Sequence, residues 1–571
     1  MKPVELLIDG SIIVLYFAAI VFIGLRIGRR ETTLEGYALG GRKVPWWAVM
    51  ASIIAAEVSA ATFIGGPAEG FSTRGITYVQ LALGLLLGRV LVGQLFLKPY
   101  YTYRVYTVYD FLAVRFGPMS KNYVSILFLI MRTLASGVRL YIPSLIMVLA
   151  WRLIVEGRAV EYGELESWQP YVWAIVLLTV ITCLYTAIGG IKAVIWTDVI
   201  QATLMFASAL VAIGTLLYKI GEGSFINAFH VLAAYVPEMK TTQGYFLTGL
   251  EKVEPGMSLW DILVLLLGNK YTLPSALIAT TLHGMAAFGT DQDMVQRMLT
   301  AETYKKSRLS LVSSALMNIP VTAAFTFIGV LLIAFYNIHP ELRPMKDNDV
   351  FGQYILMGMP VVVRGFVLAG IFATAMGSLS AALNSLATSL TNDWYIPYLA
   401  RHRSDEHHVR AARLFTALFA ALMIGIAIIF AVLNVKNPKM TIIPIALGVA
   451  GYVLGPMLGV FVLGMVTRRR GSDRGNMIAV TAGLLAILVT SGLLVDAFNA
   501  MRPGATPLVM PFRIEFTWYA TIGGLVTFVI GLLFRTPEHV VVMAEQKARQ
   551  RAGSESVPLG VEPIDVPAGK A

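Results

Sequence analysis

The sequence predicts an all-α polytopic membrane protein of about thirteen transmembrane helices, and three observations lead there. Of its 571 residues, 57% are hydrophobic and only 14% are charged, with a mean hydropathy of +0.70. A soluble domain of this size needs far more polar surface to stay in solution. The apolar residues fall in runs of roughly 20 or more, the length that crosses the hydrocarbon core. The positive charges collect in alternate loops between those runs.

The first run, residues 6–28, has few charges before it, is followed by Arg29 and Arg30, and lacks a small-x-small cleavage site. A secretory signal has the reverse charge order, so this run reads as a retained span with its N-terminus outside. Further spans are expected near 46–70, 76–98, 123–151, 170–190, 194–219, 272–291, 309–336, 361–390, 411–433, 440–466, 475–498 and 516–534. The inside loops then hold Arg42 and Lys43; Arg104, Arg115 and Lys121; Lys305, Lys306 and Arg308; Arg401, Arg403 and Arg410; and Arg468, Arg469, Arg470 and Arg474. The outside loops are poorer in positive charge, and residues 156–168 (EGRAVEYGELESW) are acidic. A miscounted span inverts every later loop, so charge and count support each other.

The net charge of +11 is therefore a topology signal, and nucleic-acid binding is not expected. The single cysteine, Cys183, lies in an apolar run and excludes a disulfide framework. The outside stretch 220–271 is expected to hold a short interfacial helix, and the tail from about 536 turns polar and ends in disorder. No soluble stretch is long enough for an attached enzyme domain.

Two spans are interrupted. In AAEVSAATFIGGPAEGF (55–71), Gly65-Gly66-Pro67 and the small residues before them weaken the helix. Glu57 there costs about 2.5–3.5 kcal/mol at mid-membrane on insertion scales. Non-helical backbone at that depth is tolerated only against protein or a watery cavity. A kink with a satisfied polar residue in a packed bundle reads from the same letters. In TLHGMAAFGTDQDMVQR (281–297), His283, Gly284, Gly289, Asp291 and Gln292 fall at the end of the seventh span. The odd spans are the second and the seventh, the separation an inverted five-plus-five repeat predicts.

Two polar stretches point to a cation. LYTAIGGIKAVIWTDVIQ (184–201) turns at Gly189-Gly190 and re-enters with Asp198, either a buried acid with a role or an acid favoured at a helix N-terminus. ATAMGSLSAALNSLATSLTNDWY (373–395) lines Thr374, Ser378, Ser380, Asn384, Ser385, Thr388 and Ser389 along one span. Hydroxyls and free carbonyls suit a hard cation; small residues also serve close helix packing.

At these residues the chain resembles the sodium:solute symporter family, over about residues 6–535. LYTAIGGIKAVIWTDVIQ is close to that family's signature, with support from ALNSLATSLTNDWY, GTDQDMVQR and the small-residue pattern of 55–71. The resemblance implies a LeuT-like fold: an extra helix and first inside loop in 1–45, an inverted-repeat transport core (spans two to eleven) in 46–466, two C-terminal helices in 467–535, and a cytoplasmic, partly disordered tail in 536–571. It implies a Na+ site at Ala55, Val58, Thr374, Gly377 and Ser378, and a second cation site or ion path at Asp198 and Ser380. It places solute near Glu57, Ser59, Thr62, Phe288 and Gln292. The family usually has serine where Gly377 stands, and Ala381 likewise lacks a hydroxyl. Glu57 is an unusual acid beside these ligands, free to serve the sodium site, pair with Arg132 or Arg139, contact a cationic solute or carry a proton.

The expected function is a secondary active symporter of the cell inner (plasma) membrane that imports a small organic solute with Na+ by alternating access. An amino acid or carboxylate is preferred over a sugar, since Arg139 favours an anion if it faces the cavity. The rivals are a proton-coupled or uncoupled carrier, in which Glu57, Asp198 or His283 moves the proton, and a membrane solute sensor. No enzyme is expected, since HExxH and paired-carboxylate motifs are missing from the spans. The transport path is expected to lie within one chain.

Overall fold

The computed structural model describes residues 3–552 apart from 29–30, 74, 157–166, 242–247, 249–252, 345, 437–441, 503–506 and 511. Arg29, Arg30, most of the acidic 156–168 loop and the end of the tail lie outside the described residues. The described chain is helical almost throughout, with two isolated bridges (Val44–Ala301 and Arg470–Arg535) in place of strands. The helices used below are α1 (Pro3–Gly28), α2 (Trp46–Glu57), α3 (Ala60–Ser72), α4 (Leu81–Leu95), α5 (Pro118–Glu156), α6 (Gln169–Ile220) and α7 (Thr280–Gly289). They continue with α8 (Gln292–Leu299), α9 (Tyr304–Ile338), α10 (Val363–Ser389), α11 (Asp405–Lys436), α12 (Ile442–Val466), α13 (Asp473–Thr490) and α14 (Tyr519–Leu532).

Among the described residues eight helices are long and apolar enough to cross a membrane, or nine with α2 and α3 counted as one bent span. The other expected spans coincide with the second arm of α6 and with shorter apolar helices around α7, α12 and α14. The two arms of α6 meet at Gly190, whose φ of 56° and ψ of −157° break the helix. A Cβ there would stand 2.5 Å from the Tyr37 carbonyl oxygen, so the turn needs glycine for both its torsion and its neighbour. In place of one short helix between 220 and 271 there are two, Phe225–Thr241 and Leu259–Leu267.

The loops expected inside gather at one end of the molecule. Arg42 donates to the Val105 carbonyl (3.0 Å), Val44 N–H to that of Thr300 (3.1 Å), and Ser120 N–H to Asp473 (2.6 Å). Arg115 donates to the Thr467 carbonyl at 2.7 Å. Asp9 of α1 marks the opposite end: it accepts from Val362 N–H (2.8 Å), Gly365 N–H (3.1 Å) and Arg364 Nε (2.7 Å) at the start of α10. Tyr336 donates to the Val350 carbonyl (2.7 Å) at that same end. The basic loops thus share an end, as alternate loops must.

Gly65-Gly66-Pro67 does not break its span. α3 runs through it, and the break lies earlier, at Val58 and Ser59, both extended (ψ 106° and 168°). The small residues serve packing instead: a Cβ on Gly70 would sit 2.1 Å from the Thr326 carbonyl oxygen, and one on Gly329 2.0 Å from that of Pro67. Backbones this close require glycine at the α3–α9 crossing. Along α4, Leu83, Leu87, Leu91 and Leu95 form an exposed stripe, while a Cβ on Gly84 would meet the Ala276 carbonyl oxygen at 1.9 Å. The glycines of LALGLLLGRVLVGQL draw α4 onto the seventh span and bury Arg89 completely.

The loop between α9 and α10 folds over the outer end of α3 and buries Asp349. Burial pushes its carboxyl up to about 7, with Lys346 opposing. The folded carboxyl therefore holds its proton at pH values where the unfolded one has lost it, and stability falls as pH rises from about 4 to about 7. Asp349→Asn is expected to flatten this dependence, unfolding at a higher temperature than the parent at pH 8 and at the same temperature near pH 4.

Candidate functional site

The site forms where α2 stops. Val58 N–H still reaches the Ile54 carbonyl (3.0 Å), but Thr62 and Phe63 N–H both turn to Ser59 (2.9 Å each). Among the described residues the carbonyls of Ala55, Ala56, Glu57 and Val58 are left without a backbone donor. α10 crosses beside them: a Cβ on Gly377 would lie 3.2 Å from the Ala55 carbonyl oxygen and 2.9 Å from Gln201 Oε1. A side chain at this position would displace the Gln201 amide, which takes that space here. Gln201 is buried, and among the described residues neither amide atom has a partner in hydrogen-bond geometry. Ser378 donates within its own helix to Thr374 and Ala375 carbonyls (3.1 Å each), leaving its oxygen lone pairs for another group. Free carbonyls, a hydroxyl and an unbonded amide oxygen are the donor set of a hard, oxygen-seeking cation.

Below the break, a buried chain of charge links four elements. Asp198 accepts from Ser52 (2.6 Å) and Arg297 (3.2 Å); Arg297 also pairs with Asp293 (2.7 Å). Arg132 of α5 pairs with Asp293 and with Asp291 (3.1 Å), and Asp291 caps α8 by accepting from Asp293 N–H at 3.0 Å. The second expected break is thus real, at Thr290–Asp291, and it is pinned by arginines. Asp198 is the buried acid of the two readings, with one carboxylate oxygen unbonded. Ser380 lies a turn below Gly377 and donates to its carbonyl (3.1 Å).

On the other side of α3 a cavity is lined by Ser59, Ala60, Ser136, Arg139, Leu140, Pro143, Ala375, Ser378 and Leu379. Arg139 has no ion pair among the described residues, and its Nε finds no hydrogen-bond partner. Ser59 and Thr62 hydroxyls lie 3.4 Å apart at the start of α3.

Of the residues expected to meet solute, Ser59 lines this cavity. Three point elsewhere. Glu57 neither pairs with Arg132 or Arg139 nor lines the cavity: it is ion-paired with Arg89 and accepts from Asn318 (3.2 Å). Phe288 is buried with the Arg89 guanidinium 3.9 Å over its ring. Gln292 accepts from Val108 N–H (2.8 Å) and donates to the Tyr106 carbonyl (3.3 Å), bracing a basic-end loop. A side chain's direction at a helix break depends on the break's torsions, which spacing does not reveal. Arg89, Arg297 and Gln201 went unassigned in the sequence. The signal for Arg89 was a lone arginine inside an apolar run, and for Gln201 its three-residue spacing from Asp198.

The profile of the Sodium:solute symporter family matches residues 37–483. The chain is 26% identical over 531 residues to the sodium/sialic acid symporter SiaT of Proteus mirabilis, covering 92% of this chain and 94% of that one. It is 28% identical over 493 residues to the sodium/glucose cotransporter of Vibrio parahaemolyticus, covering 84% of each. A solved Na+-coupled sialic acid symporter, substrate-bound and outward-open, superposes with a TM-score of 0.73 at 23% identity, over 92% of this chain and 97% of that one.

Breaking the buried pairs at Arg297 leaves Asp293 with Arg132 and leaves Asp198 without a cation, and an uncompensated buried acid costs about 3–5 kcal/mol in comparable cases. Arg297→Met is therefore expected to lower the unfolding temperature in detergent sharply, whereas Arg297→Met combined with Asp198→Asn recovers part of the loss.

Proposed function

The chain belongs to the sodium:solute symporter family, and from that premise we propose that it imports a small acidic sugar, of the sialic-acid class, together with Na+. The observation that carries the solute class is Arg139, a guanidinium without an acidic partner in a cavity that also presents Ser59, Ser136 and Ser378. A solute carboxylate takes two parallel bonds from a guanidinium, and ring hydroxyls suit the serines. A neutral sugar would leave the arginine unpaired in a desolvated site, which is costly. The relatives include symporters named for sialic acid, glucose and myo-inositol and one named for monocarboxylates. The expected preference for an amino acid or simple carboxylate over a sugar gives way on that ground to a solute that is both acid and sugar.

Na+ is the coupling ion of the family. In this reading it binds between the Ala55 and Val58 carbonyls and the Thr374–Ser378 turn, and Gln201 Oε1 takes the place of the hydroxyl that Gly377 lacks. Asp198 and Ser380 then lie along the ion's way to the basic end, which faces the cytoplasm; the N-terminus faces outside. Joining α2 to α10 through the ion pre-forms the cavity wall at Ser378, so Na+ favours solute only by its differential affinity for that conformation. The Arg89 pairing of Glu57 supports Na+ over proton coupling, since it neutralises one candidate proton carrier.

Thermal unfolding of the purified protein tests this with N-acetylneuraminate, glucuronate, glucose and proline, each in NaCl and in choline chloride. A ligand at about 100 times its Kd adds about 2.7 kcal/mol. The acidic sugars are expected to stabilise in NaCl alone. Arg139→Gln should lose that response and keep the one to Na+, and Ser378→Ala should lose both. Equal stabilisation by glucose or proline would refute the solute class; a response alike in both salts would refute Na+ coupling.

A further inference from the structure

Glu57 ends α2, one residue before Val58 and two after Ala55. Its carboxylate is ion-paired with Arg89 of α4 and bonded by Asn318 of α9 (3.2 Å). Arg89 donates in turn to Ser314 of α9 (2.9 Å) and stacks 3.9 Å over Phe288 of α7. One buried cluster therefore joins the inner half of the broken span to three other helices. Glu57 carries no cavity-lining surface, and Arg89 is fully buried.

We infer that the Glu57–Arg89 pair is a positioning device that sets the direction of the Ala55 and Val58 carbonyls, and so the Na+ affinity, without touching ion or solute. The inference rests on the Na+ site proposed above. The carbonyls at the break have lost the helical bonds that would orient them, and something else must fix the peptide planes. The Glu57 carboxylate is held by two partners, Arg89 and Asn318, within two residues of both carbonyls. The planar guanidinium serves as a fixed plate, held on its face by Phe288 and along its edge by Ser314 and Glu57. The pair also leaves the surroundings neutral: Arg89 alone would set a cation beside the cation site, and Glu57 alone would be a half-buried, unpaired acid. Groups that orient metal ligands without binding the metal change metal affinity by about 10–100-fold when removed.

The test measures the Na+ concentration giving half-maximal thermal stabilisation, and, in proteoliposomes, the half-saturating Na+ and the maximal rate. Glu57→Gln is expected to raise half-saturating Na+ by about tenfold or more while the maximal rate at saturating Na+ holds. Arg89→Lys keeps the charge but loses the stacked plate and falls between. The pair Glu57→Gln with Arg89→Met loses the same anchor and should be no weaker in Na+ affinity than Glu57→Gln alone, the non-additivity of a coupled pair in a double-mutant cycle. Unchanged Na+ affinity in folded Glu57→Gln would overturn the inference. So would a double variant weaker by the summed effects of Glu57→Gln and Arg89→Met, which would mean that the two side chains do not act as a pair. A parent protein indifferent to Na+ would refute the Na+ site itself, and the inference with it.

Discussion

A carbonyl that loses its helical donor within a bilayer has no water to turn to, and it needs a partner from protein or from a polar cavity. The arrangement around Val58–Ser59 follows from that constraint. Among the described residues four carbonyls stand without a backbone donor there: α10 passes so near that a Cβ on Gly377 would lie 3.2 Å from the Ala55 carbonyl oxygen, Gln201 presents an amide, and the cavity opens between Ser59 and Ser378. An uninterrupted helix at this place would offer no such oxygens. In the proposed reading that unfilled bonding capacity binds the cation, and its position beside the cavity couples cation to solute.

The charges around the break behave as two separate systems. Glu57 and Arg89 form a closed pair on the side away from the cavity. Asp198, Arg297, Asp293, Arg132 and Asp291 form a longer chain toward the basic end. Buried pairs such as these are weak evidence for stability, since desolvation offsets much of their attraction. What they supply is position: each arginine holds a helix terminus or a break in place. Arg139 is the exception, a guanidinium in the cavity wall with no acid assigned to it among the described residues.

Hydropathy and loop charge were enough to read the layers of this protein, because crossing a bilayer and choosing a side are local demands on composition. The two interrupted spans were also legible, through Glu57 and through Asp291. The place of the first break was not. Gly65-Gly66-Pro67 is the strongest helix-weakening signal in the segment, yet α3 runs through it, with Gly66 and Pro67 against α9, and the chain opens at Val58–Ser59 instead. Glycine marks breaks and tight packing with the same letter. The partners of Glu57 were hidden for a different reason. Arg89 lies 32 residues away, and nothing local says that Gly84 and Gly88 draw it inward. Phe288 and Gln292 were expected beside solute, but their side chains lie against Arg89 and the 106–108 backbone.

The central claim is that a cation at the break and an acidic sugar at Arg139 move together. The most direct measurement is uptake of labelled N-acetylneuraminate into proteoliposomes holding the purified protein, under an imposed inward Na+ gradient, under equal Na+ on both sides, and under a proton gradient without Na+. The account predicts accumulation above the outside concentration with the Na+ gradient, and no more than equilibration with Na+ balanced. Accumulation driven by the proton gradient in the absence of Na+ would contradict it.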